Sequence, residues 1–532
     1  MRILYIDIDS CRPDHLGCYG YHRNTSPNID RVAAEGVRFT ECYTPDAPCL
    51  PSRTAFYSGR FGIQTGVVGH GGTAAEPKRE GKLRGFRDRF DETGLARQLQ
   101  RLGFHTATIS PFGQRHAAHW FYAGFNEIHN TGLGGIESAE QVSPVVDRWM
   151  SANAARDNWY LHVNFWDPHT PYRVPAGYGE PFEDDPLPKW LDDDAVIGRH
   201  QKKVGPHSAQ DIAMYDDAEN PRFPRQPGKV TDRASLRRHI NGYDTGIRYV
   251  DDEVGKMVAH LKRAGVYDDT AIVISADHGE NQGELGIYAE HATADAGTCR
   301  IPMIVKWPGG KRGAIDDVLH YNIDFAPTLM DLLGGKKPDL WDGASYAKTI
   351  TDGAALGRED LVVSQCCHVC QRSVRWDDDR GRRWLYVRTY HDGFHLFPQE
   401  MLYDLAADPH EQDDIAARHP DVCREGAWRL ARWHDAQMQK MAITSSDSTD
   451  PLWTVIREGG PHHALHEPGR SPLPKYLERL EKTGRAEGAA ALREKYAAYL
   501  PGAEPKPGKP SPATPAAAAK SAGNAPRDQR AR

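Results

Sequence analysis

Long apolar runs are missing from this 532-residue chain: no stretch approaches the roughly 18 consecutive apolar residues that a membrane-crossing helix needs. No membrane association is therefore expected. The chain opens MRILYIDIDS, which reads as a strand from residue 2 and lacks the basic segment followed by an apolar one that marks a secretory leader. A disulfide framework is missing as well. Nine cysteines, an odd number at irregular spacings, suit a reducing compartment, so a cytoplasmic location is expected. Nor is there a large excess of one charge. The 66 basic and 73 acidic residues leave a net −7, without the basic stripe of a dedicated nucleic-acid binder. An anionic substrate would have to be met by a local cluster of Arg, Lys and His, not by the field of the whole protein. Internal repeats are also absent.

The length suggests at least two domains. Residues 3–9 form a β-rich run ending in DSCRPDHLGCYGY, and TAIVISADHGE places a buried strand at 271–275 with Asp277 and His278 just past its end. Before it, Tyr243, Ile247, Val250, Val254, Met257, Val258 and Leu261 follow helical spacing, and Gly265 supplies a stop. A further apolar strand is expected at 303–307. Strand and helix alternating in this way predict an α/β fold, a large, mostly parallel sheet sandwiched by helices. Residues 176–240 are polar and broken by Pro and Gly, and read as insertions over the core. The expected organisation is an α/β catalytic domain over 1–355 and a smaller α+β domain over 356–500. A Pro/Ala-rich tail over 501–532 cannot bury a core.

In open α/β sheets ligands gather beyond the carboxyl ends of strands. Asp9, Asp277 and His278 stand at such ends, and carboxylates with one imidazole suit Ca²⁺, Mg²⁺ or Mn²⁺, with Zn²⁺ possible. Asp7, two residues before Asp9, points to the same side of its strand and is expected to support the cation from behind. CCHVC at 366–370 has no partner pair of cysteines and reads as a half-buried strand. The segment CLPSRTAFYSGR, Cys49 to Arg60, reads as a short helix with Pro51 in its first turn and Gly59 at its end. A helix N-terminus and Arg53 one turn on favour negative charge beside residue 49. On chemistry alone Cys49 is a thiolate nucleophile or an inert buried cysteine.

CLPSRTAFYSGR also resembles the signature of the type I sulfatases, Cys-x-Pro-Ser-Arg followed after a short spacer by Gly-Arg. DSCRPDHLGCYGY looks like that family's first metal block, and ADHGE with CRIPMIVKWPG like its second. MLYDLAADPHEQDD is similar to its C-terminal block. The resemblance implies an alkaline-phosphatase-like fold with a smaller C-terminal sheet. It also implies that a separate maturing enzyme oxidises Cys49 to Cα-formylglycine, whose hydrate attacks a sulfate ester beside one divalent cation, usually Ca²⁺. Asp9, Asp277 and His278, completed by residue 49, match metal positions. Arg53 matches the residue that holds the hydrated aldehyde, and His169, in WDPHTPY, is the candidate acid for the leaving oxygen.

The chain departs from the family pattern at several points. Ser10 stands where many relatives have a second Asp, and His278 where many have Asn. GQRH replaces Gly-Lys-x-His, giving Gln114 for Lys and keeping His116, with Arg115 offering a substitute charge. His291 takes the place of a second lysine. Gln114 and Arg115 are thus expected at the substrate, and His116 and His291 in catalysis. His462, His463 and His466 are expected on the surface, while Arg388, His391 and His395 could reach over the pocket. The expected activity is hydrolysis of a sulfate monoester, with a sulfated sugar or glycan fragment as substrate. A phosphonate monoester or phosphodiester hydrolase of the same superfamily, or a non-catalytic binding relative, are the alternatives. The sequence leaves the oligomeric state open.

Overall fold

A computed structural model describes residues 1–80, 89–445, 447–466 and 469–500. The tail expected over 501–532 lies outside the described residues. Among the described residues sixteen strands make the framework: β1 (Arg2–Ile8), β2 (Val37–Tyr43), β3 (Asp46–Ala47), β4 (His105–Ile109), β5 (Glu127–His129), β6 (Trp159–Phe165), β7 (Thr270–Ser275), β8 (Asn281–Gln282), β9 (Tyr288–Glu290), β10 (Arg300–Lys306), β11 (Ala314–Asp316), β12 (His320–Tyr321), β13 (Asp360–Gln365), β14 (Cys370–Asp377), β15 (Arg383–His391) and β16 (Glu400–Asp404). The large sheet runs β11-β2-β10-β7-β1-β6-β4-β5, with β12 also on β2. It is mixed but mostly parallel: β10 alone runs against both of its neighbours, β2 and β7. The apolar segment expected at 303–307 is this reversed strand, begun three residues earlier.

β1 lies at the centre, fully buried and parallel to β6 and β7. Tyr5 stacks on Phe56 at 4.9 Å and lies 6.2 Å from Phe325, so the odd positions of β1 face the helices Cys49–Ser58 and Phe325–Leu333. Asp7 shares that face with Tyr5. Leu4, Ile6 and Ile8 point the other way and are fully buried. The helices Pro27–Ala34 and Ala139–Asn153, each in contact with the long helix Arg233–Arg263, form the second layer.

The helix expected from Tyr243 starts ten residues earlier, at Arg233. Asp232 accepts from the Ser235 backbone N–H at 2.8 Å and caps it, so its first turns replace the end of the expected insertion. The rest of that insertion is irregular apart from the helix Asp194–His200 and a single 3-10 turn at Ala176–Tyr178. A second sheet, β16-β15-β14-β13-β3, takes its edge strand β3 from just before Cys49. The CCHVC segment is not a half-buried strand. Cys366–Val369 form a fully buried turn between β13 and β14, and only Cys370 is in a strand. Among the described residues no helix is long and apolar enough to cross a membrane.

Candidate active site

Strand register assembles the first half of the site. Asp7 lies opposite Ser275 across the β1–β7 pair, so Asp9 and Asp277, two residues further along each chain, emerge side by side. The helix Cys49–Ser58 begins above them. Pro48 precedes it, Gly59 closes it in the left-handed conformation at φ 66°, and a Cβ at Gly59 would meet the Trp341 ring at 2.6 Å. One turn in, Arg53 reaches down to the strand ends. Its Nε donates to Asp7 Oδ2 at 2.7 Å, and its Nη1 to Asp9 Oδ2 at 3.0 Å and Asp277 Oδ2 at 2.6 Å. Ser52 Oγ donates to the Asp277 carbonyl at 2.6 Å, fastening helix to strand end.

Three buried carboxylates share this single guanidinium, which leaves a deficit of positive charge. Burial and the neighbouring Asp9 charge push Asp277 up to about 7, despite Arg53. Burial acts against Asp9 too, but Arg53 and His169, His278 and His291 outweigh it and hold that carboxyl below its usual range. His278 completes the set. Its Nδ1 faces the Gly279 carbonyl at 2.7 Å and so carries the hydrogen. In the neutral ring Nε2 is then a lone pair, 3.2 Å from Cys49 Sγ and 3.2 Å from Asp277 Oδ2. Metal-bound histidines are oriented in this way. Ligand atoms of Asp9, Cys49, Asp277 and His278, all buried, lie within 4.8 Å of one another. Charge deficit, tautomer and donor set all fit a divalent cation. Ser10 takes no part in the set: its hydroxyl donates to Asp9 Oδ1 at 3.1 Å.

In the metal-free site, burial with Asp9 and Asp277 beside it pushes the Cys49 thiol well above its usual range, and Arg53 does not offset them.

Histidines form the second half. The His169 and His291 ring centres are 5.1 Å apart, and His291 is 4.2 Å from His278. His169 Nδ1 is turned to the Thr170 carbonyl, which leaves Nε2 facing Asp9 Oδ1 at 4.0 Å; burial pushes its pKa down to about 3. His291 Nε2 is 2.9 Å from Glu290 Oε1, and its Nδ1 is buried without a hydrogen-bond partner. His116, likewise pushed down to about 3 by burial, has its ring centre 4.9 Å from that of His70. Both come within ligand distance of Cys49. Arg115 is exposed; its guanidinium lies 5.0 Å over Trp166, whose ring also lies 5.7 Å from the Arg53 guanidinium. Gln114 is exposed and turned to Asn130, away from these contacts.

Sequence reasoning missed His70, Arg173, Glu290 and His368. His70 Nε2 accepts the Leu50 N–H at the helix start at 3.4 Å. Arg173 donates through Nη2 to the His169 and Thr170 carbonyls, both at 3.2 Å, and its buried Nε and Nη1 have no partner. None of these residues belongs to a spaced motif; Arg173, four residues after His169, gave the nearest signal. Two expectations fail. Of the expected surface histidines only His462 is exposed; His463 is half-buried and stacks on His368 at 4.2 Å, and His466 is buried against His391, with the two Nε2 atoms 2.7 Å apart. Nor does the RTYHDGFH segment cover the pocket. Arg388 pairs with Glu400, and His395 Nε2 bonds the Pro206 carbonyl at 2.9 Å.

The sulfatase family model matches residues 2–335, and a model described as N-sulphoglucosamine sulphohydrolase, C-terminal, matches residues 283–423. A choline-sulfatase of Rhizobium meliloti (strain 1021) is 25% identical over 499 residues, covering 85% of this chain and 90% of its own. An N-acetylglucosamine-6-O-sulfatase of Bacteroides thetaiotaomicron is 23% identical over 483 residues, with 78% and 82% covered. The fold matches that of a 2-O GAG sulfatase at a TM-score of 0.62, with 20% identity over 88% of this chain and 98% of the other. It also matches a phosphonate monoester hydrolase of Agrobacterium radiobacter at 0.59, with 19% identity, 82% and 96% covered.

Proposed function

This chain belongs to the sulfatase family and is a hydrolase of that family, and we propose that it cleaves a sulfate monoester to an alcohol and inorganic sulfate, using Cys49 matured to formylglycine. The observation that carries this reading is the arrangement of Cys49 at a helix start over Asp9, Asp277 and His278. Matured, residue 49 offers one hydroxyl to attack sulfur and a second whose collapse to the aldehyde frees sulfate, a step serine cannot perform. A divalent cation, Ca²⁺ in the first instance and Mg²⁺ or Mn²⁺ otherwise, would be held by Asp9, Asp277, His278 and residue 49 and would supply positive charge against the sulfate oxygens.

The chain's own residues do the rest. Arg53 fixes Asp7, Asp9 and Asp277, and its Nη2, buried without a partner, is left for a sulfate or hydrate oxygen. The free N–H groups of Arg173 add donors beside His169. His169 is neutral in the free site, with Nε2 as acceptor; the negative charge of an arriving sulfate ester favours its protonation, and it then gives the proton to the leaving alcohol oxygen. His291, oriented by Glu290, and His116 stand on the same side and bind or protonate ester oxygens. Arg115 over Trp166 places further positive charge at the rim, and Gln114 reaches substrate only if its loop turns inward.

A sulfated sugar or glycan fragment is the proposed substrate class. The polar insertion between β6 and β7 supplies hydroxyl-binding groups, and relatives are named for sulfated sugars. A sulfatase-maturing enzyme is the implied partner. The test is a turnover comparison on an aryl sulfate, a phosphodiester and a phosphonate monoester. The sulfate ester is expected to have the highest kcat/KM; sulfate as the poorest of the three would replace this reading with a phosphonate or phosphodiester hydrolase, to which His278 in the metal set also lends itself.

A further inference from the structure

We infer that the chain holds a second cation site, outside the Cys49 centre, formed by His207, Glu290 and His368 and suited to Zn²⁺ or a similar first-row transition metal. One ligand atom from each lies within 4.8 Å of the others, and all three residues are buried. His207 comes from the loop after the helix Asp194–His200, Glu290 from the end of β9, and His368 from the turn between β13 and β14.

The surroundings of His207 decide the matter. Its Nδ1 lies 3.0 Å from the Ile212 carbonyl oxygen, which can only accept, so Nδ1 carries the hydrogen. In a neutral ring Nε2 is then a lone pair. It sits 3.1 Å from Glu290 Oε2, buried and without hydrogen-bond alignment. A lone pair facing a buried carboxylate oxygen is repulsive unless a proton or a metal cation lies between them, and the missing hydrogen-bond alignment favours the metal. An N–H anchored on a backbone carbonyl, opposite the ligating nitrogen, is the usual posture of a metal-bound histidine. Glu290 divides its oxygens accordingly: Oε1 meets His291 Nε2 at 2.9 Å and His368 Nε2 at 3.5 Å, and Oε2 is left to His207. Among the described residues, every ion-pair partner of Glu290 is a histidine; no Lys or Arg compensates it.

The ligands are held in place by the fold. His207 adopts φ +60°, a left-handed conformation uncommon for a non-glycine residue. Its N–H donates to the Asp211 and Met214 carbonyls at 3.1 and 2.9 Å, and its own carbonyl accepts from Tyr288 N at 2.9 Å, on the strand that ends in Glu290. Gln365 does the same for His368. Its Oε1 accepts from His368 N at 3.2 Å, and its Nε2 donates to the His291 carbonyl at 2.7 Å. Two imidazoles and one carboxylate select a borderline metal, in contrast to the carboxylate-rich Cys49 centre. Because Glu290 also orients His291, the ion would set the posture of that histidine.

The test uses full-length protein stripped of metal, saturated with Ca²⁺ and then titrated with Zn²⁺ under equilibrium dialysis, with bound metal counted by mass spectrometry. One Zn²⁺ equivalent is expected beside Ca²⁺. Its affinity should fall at least about tenfold in His207→Gln and His368→Gln, each checked for folding by near-ultraviolet circular dichroism. Co²⁺ in place of Zn²⁺ should give a visible spectrum without a thiolate charge-transfer band, unchanged in Cys49→Ala; that readout stands even if the histidine variants do not fold. The site is refuted if wild type takes up no Zn²⁺ beside Ca²⁺, if folded variants bind it as tightly, or if the Co²⁺ spectrum disappears with Cys49. The first outcome would mean that His207 meets Glu290 as an imidazolium. Sulfate turnover enters none of these readouts, so failure of the proposed activity leaves the result intact.

Discussion

Asp7, Asp9 and Asp277 project from two hydrogen-bonded neighbours, β1 and β7, whereas His70, His169, His291 and His463 come from four segments that no strand register relates. The carboxylate half is fixed by the backbone ladder of the central sheet and by one guanidinium. The histidine half is fixed by side chains: Glu290 on His291, Gln365 between the His291 and His368 backbones, and stacking of His368 on His463. The first half suits a group that must not move, a cation and a nucleophile. The second suits residues that select a leaving group, because loops can change without unpicking the sheet.

If that division is right, damage to the carboxylate half should cost most. Cys49→Ala is expected to lower kcat by more than about 10⁴-fold, a part of the roughly 10⁶–10¹⁷-fold accelerations that enzymes reach. Cys49→Ser should retain metal but give no multiple turnover; steady-state cycling near wild type would break the aldehyde step. Arg53→Ala leaves three buried carboxylates without their guanidinium and should cost about 3–5 kcal/mol of stability by urea unfolding in metal-free protein. On the histidine half, His169→Ala should lower kcat about 10²–10⁴-fold, with less loss on substrates whose leaving alcohol is acidic and needs no proton. An equal loss on all substrates would mean that His169 positions the ester and does not protonate it.

The anchoring of the second half can be tested through pH. Asp450 binds Arg372 of β14 at 2.7 and 2.8 Å, and it caps the helix Pro451–Arg457 that leads to His463. Burial opposes its charge, but Arg372 and His434 outweigh that and hold the carboxyl below its usual range. A carboxyl depressed on folding stabilises the protein above its unfolded pKa of about 3.9, and that contribution fades as pH falls toward the folded value. Asp450→Asn should therefore destabilise by about 3 kcal/mol near pH 7, with the gap to wild type closing below about pH 4. A gap independent of pH would show that the pair is not the anchor. The smallest effect is expected from Gln114→Ala, less than about twofold in kcat/KM, within the range of surface substitutions away from a site. A larger loss would show that its loop closes on substrate.

The same division governs what the sequence makes legible. Asp9, Asp277 and Cys49 follow from local pattern, because a buried strand announces its own end and a helix start its own cap. The alternation that puts Asp7 under Arg53 is also local. Glu290, His207 and His368 lie in short or irregular segments, and a lone histidine has no period to betray its partners. CCHVC reads as a strand because small apolar cysteines mimic one; the turn forms because Gln365 Oε1 binds the backbone N–H groups of Cys367 and His368. His463 is half-buried and His466 buried because the chain after the helix Pro451–Arg457 folds back onto the small sheet, a tertiary event that composition does not encode.

The central claim is that residue 49 acts as an aldehyde hydrate and not as a thiol. Mass spectrometry of the tryptic peptide carrying position 49, from protein co-produced with a competent maturing enzyme, tests it most directly. Formylglycine is expected at that position, in a fraction that scales with specific activity across preparations. Unmodified cysteine in a preparation that turns over sulfate esters at full rate would contradict it.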